Sequence, residues 1–136
     1  MTKYYTTKEQ SKELLKLGLN PETADMCFEY QKAHWPDEPA YLDWPQCFKK
    51  HDEQDIPCWS VGALMDLIPK RIIHNKTEYS MCLQTMTHCY SLCHTDGRYL
   101  TTLGCQIIGK SLIDAVYQYV VWLIENGYIN GNEPNN

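Results

Sequence analysis

The chain has no long apolar run. Its longest unbroken aliphatic and aromatic stretch is Tyr119 to Ile124, far short of the ~20 residues a membrane-crossing helix needs. The opening Met1-Thr2-Lys3-Tyr4-Tyr5-Thr6 lacks the apolar core and small-residue cleavage site of a secretory signal. A cytoplasmic protein without a membrane partner is therefore expected. Positive charge is also scarce. The formal net charge is −5, which argues against nucleic-acid and anionic-membrane surfaces. The acidity is concentrated early: residues 1–60 carry seven Lys against eleven Asp and Glu.

Two chemical signatures are missing as well. Among seven cysteines (Cys27, Cys47, Cys58, Cys82, Cys89, Cys93 and Cys105) there is no Cys-x-x-Cys spacing. An odd count with no signal peptide predicts free thiols and not a disulfide framework. In that state cysteine is chiefly a small buried apolar side chain. A glycine-rich phosphate loop is absent: Gly109-Lys110-Ser111 lacks the upstream glycine that such a loop needs.

What remains is an ordinary globular composition, 43% hydrophobic and 21% charged over 136 residues, enough for a real core. One domain over 1–136 is expected, with a polar tail at 130–136 and no internal repeat. Ser111 to Glu125 is apolar on nearly every side. Leu112, Ala115, Val116, Tyr119 and Leu123 form one helical stripe, and Ile113, Tyr117, Val120 and Ile124 another. Such a helix must be covered from several directions, so a continuous helix over 111–126 is expected at the centre of the fold. Gly127 should stop it in a left-handed conformation and turn Tyr128 and Ile129 back over it.

Thr6 or Thr7 caps a first helix that ends at Leu17-Gly18-Leu19, a Schellman pattern. Asn20-Pro21-Glu22 starts a second, short helix that should end near Met26. Gln31 to Pro57 reads as a long ordered loop, because Pro36, Pro39, Pro45 and Pro57 interrupt it while Trp35, Tyr41, Trp44 and Phe48 anchor it. Ser60 caps a helix closed by Pro69. Arg71–Gln84, Cys89–His94 and Tyr99–Ile108 read as three strands, the last two joined by a turn at Thr95-Asp96-Gly97-Arg98. The expected fold class is α+β: a small antiparallel sheet of about three strands packed by a long C-terminal helix, with N-terminal helices and a long Pro/aromatic-rich loop.

Three blocks, SKELLKLGLNPETADM (11–26), DIPCWSVGALMDLIP (55–69) and AVYQYVVWLIENGYI (115–129), resemble a family of small uncharacterised proteins from gut anaerobes, their prophages and other mobile elements. The resemblance covers under half the chain. It implies a fold and a genomic setting, and it transfers no catalytic residues.

Candidate chemistry is sparse. Cys58 lies just before a helix start, where a dipole lowers a thiol pKa, and His51 is near in sequence. The competing account makes Cys58-Trp59 an apolar lead-in packed on that helix. His88, Cys89, Cys93 and His94, with His74 and Cys82 upstream, contain zinc-ligand types. On a strand, however, Cys89 and Cys93 stand ~13 Å apart and cannot share an ion. Lys8, Lys12 and Lys16 form a stripe that reads as a solvated mixed-charge face, paired with Glu9 and Glu13. Trp35, Tyr41 and Trp44 either cover the second face of the sheet or point outward as a binding patch. Trp122 with Tyr128 poses the same alternative, core or anchor.

These readings converge on a non-catalytic accessory or interaction protein of a mobile-element family, with a protein partner, homo-oligomerisation left open and no cofactor. The alternatives are a cysteine-dependent enzyme using Cys58 and a zinc-stabilised binding module.

Overall fold

A computed structural model describes residues 3–41, 54–98, 101–104 and 106–129. The first helix, α1 (Lys8–Lys16), is capped by Thr7, whose side chain accepts from Gln10 N while Gln10 Oε1 accepts from Thr7 N. It ends in the expected Schellman motif: Gly18 has φ +94, Gly18 N donates to Leu15 O and Leu19 N to Leu14 O.

The next segment departs from the sequence reading. Asn20 and Pro21 start only a 3₁₀ turn, Pro21–Thr23, and the chain then extends as β1 (Met26–Phe28). Two pieces of the supposed loop pair with it. β2 (Ala40–Tyr41) and β3 (Ile56–Cys58) flank β1 antiparallel, in the order β2-β1-β3. Strands in the first third of the chain correct the sequence reading, which placed only helices and a long loop there. The physical reason is that Met26, Cys27 and Phe28 are all buried, so a three-residue strand covered on both faces shows no alternation to read.

Helix α2 (Val61–Leu67) starts at Ser60, whose Oγ accepts from Ala63 N. Asp25 holds that cap by accepting from both Ser60 N (2.9 Å) and Ser60 Oγ (2.5 Å). The main sheet then has four strands, one more than expected. They are β4 (Arg71–His74), β5 (Thr77–Thr85), β6 (Tyr90–Thr95) and β7 (Ile107–Gly109), antiparallel in chain order. The apparent strand Arg71–Gln84 is a hairpin. Asn75 and Lys76 take φ +50 and +66, the two-residue turn that matches strand twist, without the glycine that usually advertises it. The third expected strand, Tyr99–Ile108, is described only in part. Thr102 bridges Thr95, Leu103 N donates to His94 O, and β7 begins at Ile107.

Ile72, Tyr79, Met81, Leu92 and Ile107 share one sheet face by register and pack toward α3 (Leu112–Glu125). Cap Ser111 and terminal Asn126 bound that helix as the sequence predicts. Ala115, Val116, Tyr119, Val120 and Leu123 are fully buried. The opposite sheet face presents Arg71, Ser80 and Gln84 to solvent. Trp35 does not cover it. It packs instead with Tyr5 on the small-sheet cluster of Met26, Phe28, Ile56 and Cys58; Trp44 lies outside the described residues.

α3 closes as expected, with Gly127 at φ +77 and Tyr128 N donating to Leu123 O. A Cβ at Gly127 would meet nothing within 4 Å, so a substitution there meets backbone strain alone. Gly127→Val is expected to destabilise the fold by ~1 kcal/mol or more, read by thermal or denaturant melting. An unchanged melt would mean that the αL stop contributes nothing.

Candidate functional site

The helix that anchors the core also lines a shallow groove on its outer side. Its inward stripe is covered by the sheet and by α2, but Tyr117, Val121 and Trp122 on the outer side stay half-exposed. Together with Ile107 of β7, Glu13 of α1 and Glu125 they line a groove of about 390 Å³. The floor is aromatic and aliphatic; the two carboxylates rim it. Both act on Tyr117: burial, then the charges of Glu13 and Glu125, push its phenol above the ordinary value. Neither carboxylate makes an ion pair among the described residues, where Arg71–Glu78 (3.4 Å) is the salt bridge formed. Glu125 stands in the last turn of α3, which holds no basic residue. A negative charge beside the negative end of a helix dipole opposes helix stability.

Trp122 links this groove to the interior. Tyr119 and Trp122 are three residues apart on α3 and so share a side. Their rings are nearly parallel, with centroids 5.7 Å apart. The Gly127 reversal stacks Tyr128 on the indole as well, at 5.6 Å, and His74 of β4 meets Tyr128 edge-on at 6.4 Å. Gly104, at φ +69, admits the indole, because a Cβ there would overlap it. Trp122 is therefore neither purely core nor a free anchor: one part is stacked, the rest lines the groove.

At the inner end lies His94, fully buried. Its Nε2 faces Pro69 O at 2.6 Å and must donate to it, so Nδ1 accepts from the Tyr119 hydroxyl at 2.5 Å. Burial holds the imidazole pKa below its ordinary value, partly offset by the Pro69 carbonyl. His94 is thus a neutral, fully hydrogen-bonded core group. The zinc-ligand candidates do not converge. Alternation along β6 puts Cys93 and His94 on opposite faces, and Cys89 sits at the hairpin end with its thiol 3.3 Å from Met86 Sδ. His88 is exposed beside it. Among the described residues, no group of three or more His, Cys, Asp or Glu could hold a metal.

Cys58 sits at the end of β3, fully buried beneath α1. Its S–H donates to Thr6 O at 3.3 Å. Burial and, less, Asp25 push its pKa up to about 12 against the opposing hydrogen bonds from Thr6. A buried, protonated thiol is a poor nucleophile. His51 lies outside the described residues. Trp35 donates from Nε1 to Gln54 O at 2.6 Å, meets Tyr30 edge-on at 5.3 Å and receives Lys12 Nζ over its ring at 5.4 Å. Lys8 Nζ lies 5.5 Å over Phe28. Lys8 and Lys12 therefore cover aromatic rings, where the sequence reading had the stripe as a solvated mixed-charge face with Lys12 paired to Glu9. Tyr41, on the edge strand β2, is 71% exposed.

The groove is the feature that sequence reasoning missed. A signal exists: Tyr117 and Val121 one turn apart, with Glu125 a further turn on, make an apolar stripe that runs into an unneutralised helix end. No family model, curated protein or solved structure matches this chain. No described helix is long and apolar enough to cross a membrane.

Proposed function

We propose that this protein is a non-catalytic interaction module that takes a basic, apolar segment of a protein partner into the groove on the outer face of α3. The observation that carries the reading is the pairing of half-exposed Tyr117, Val121 and Trp122 with two carboxylates, Glu13 and Glu125, that have no cationic partner among the described residues. Aromatic floors supply binding energy where they are desolvated, and rim charges select the sign of the partner. A lysine or arginine delivered beside Glu125 would also neutralise the end of α3, supplying the charge that this helix lacks. An accessory role in a mobile-element setting, implied by the three sequence blocks, is consistent with a binding module and belongs to the same proposal.

The test uses a synthetic amphipathic peptide of Lys, Leu and Ala at helical spacing, titrated calorimetrically. Binding should weaken as salt rises. The double change Glu13→Lys with Glu125→Lys should weaken it ~10-fold or more, while Glu29→Lys, exposed after β1, should not. Glu125→Lys alone should raise stability by ~0.3–1 kcal/mol. A residue that lowers stability yet supports binding is the signature of a site. Absent binding, or equal losses in all variants, overturns the proposal.

A further inference from the structure

The face of the main sheet turned away from α3 carries a pair of cysteines that the groove does not use. Cys82 of β5 stands directly opposite Cys93 of β6. The register also gives their hydrogen-bonding class. Met86 N donates to Cys89 O across the hairpin. Stepping back by two residues on each strand makes 84↔91 and 82↔93 hydrogen-bonded pairs as well. In such a pair the Cα atoms stand ~5.5 Å apart, within the range a disulfide spans. Directly opposite side chains lie on the same face. That face is the one turned away from α3, because Leu92 and His94, the neighbours of Cys93, point into the core. Cys82 is half-buried, whereas Cys93 is 4% exposed. Both are free thiols.

We infer that Cys82 and Cys93 form an oxidation site, converted to a cross-strand disulfide by a small-molecule disulfide such as glutathione disulfide. The accessible thiol reacts first. Cys82 gives up its proton, its sulfur attacks the glutathione S–S bond, and one glutathione leaves and takes up a proton as the thiol. The Cys82–glutathione mixed disulfide is then attacked by the Cys93 sulfur as that thiol loses its proton. The second glutathione leaves as a thiol. Two protein thiols are oxidised, one glutathione disulfide is reduced to two thiols, and protons balance. The order follows from burial, which raises the Cys93 pKa together with the neighbouring Cys82 thiol, so Cys93 acts only once a sulfur is placed against it. Cβ atoms across such a pair stand ~4.5–5.5 Å apart, against ~3.8 Å in a relaxed disulfide. The strands must close slightly to form the bond. The product is therefore strained, and strained disulfides are the easily reduced ones. This makes the site reversible and not a permanent staple.

The test is peptide mapping by mass spectrometry after equilibrating the full native chain in glutathione buffers of stepped redox ratio. The expected species is one Cys82–Cys93 crosslink, formed reversibly and losing its selectivity when the same oxidation is done in denaturant. Cys93→Ser should instead accumulate glutathione on Cys82, and Cys82→Ser should leave Cys93 unmodified under the same conditions. The wild-type mapping stands even if a variant fails to fold. Retention of both thiols at the most oxidising ratio, a crosslink from Cys82 to any other cysteine, or glutathione capture at Cys93 in preference to Cys82 would overturn the inference.

Discussion

Trp59→Ala is expected to cost about 3–5 kcal/mol, close to the whole stability of many small domains. Trp59 is fully exposed to packing and not at all to solvent: its relative accessibility is 0%. It follows β3 and precedes the Ser60 cap, so it lies where the small sheet, α1 and α2 meet. Its main chain pairs with Thr6, accepting from Thr6 N at 2.9 Å and donating to Thr6 Oγ1 at 3.1 Å. Its indole Nε1 donates to Thr23 Oγ1 at 2.9 Å. Truncation removes the largest fully buried side chain among the described residues and breaks that last bond, and the surrounding helices cannot collapse fully into the space. Trp59→Phe keeps most of the volume and should lose much less. Denaturant unfolding of the two variants measures the difference. A loss below ~1 kcal/mol for Trp59→Ala would show that this junction does not contribute to the cooperative fold.

His94→Leu should destabilise the chain by about 2–4 kcal/mol at neutral pH, because it strips a donor from the half-buried Pro69 carbonyl and an acceptor from the buried Tyr119 hydroxyl. The larger interest is its pH dependence. Native His94 has a depressed pKa, with burial the main cause. Unfolded, its pKa returns to about 6.5. Above that value both states are neutral at this site and the stability is fully present. Below it the unfolded chain binds a proton that the native chain refuses, so stability falls as pH drops from about 6.5 toward the native pKa. The exposed His34, His74 and His88 are common to both proteins. The wild-type minus His94→Leu stability difference should therefore shrink between pH 7 and pH 5. A difference that stays constant over that window would show that folding leaves the His94 pKa unshifted, and one that grows as pH falls would show that native His94 is already charged.

The extent to which this fold is legible in sequence can be judged from its helix ends. Thr7 with Gln10, Gly18 with Leu19, Ser60, Ser111 and Gly127 each declare a boundary, because capping is satisfied by residues within a few positions of one another. The apolar character of α3 likewise declared its central position. The strands were harder to read. Met26–Phe28 and Ile56–Cys58 are short and wholly buried, and they acquire strand identity only by pairing with each other across about thirty residues. The Asn75-Lys76 turn carries no glycine, so one hairpin resembled one strand.

The candidate sites follow the same division. Sequence alone determined the inventory: an acidic balance, cysteines expected as free thiols and no motif that fixes a reaction. It could not say that Trp35 would rest on the small sheet under Lys12, nor that Cys58 would be sealed beneath Thr6. Tertiary structure decided that Glu13, distant in sequence, would share a groove with Tyr117 and Glu125, and that Cys82 would face Cys93. The physical reason is range. Caps, turns and amphipathic stripes are local interactions and are written in neighbouring letters, whereas grooves and cross-strand pairs are set by register and packing between segments whose sequences bear no mark of each other.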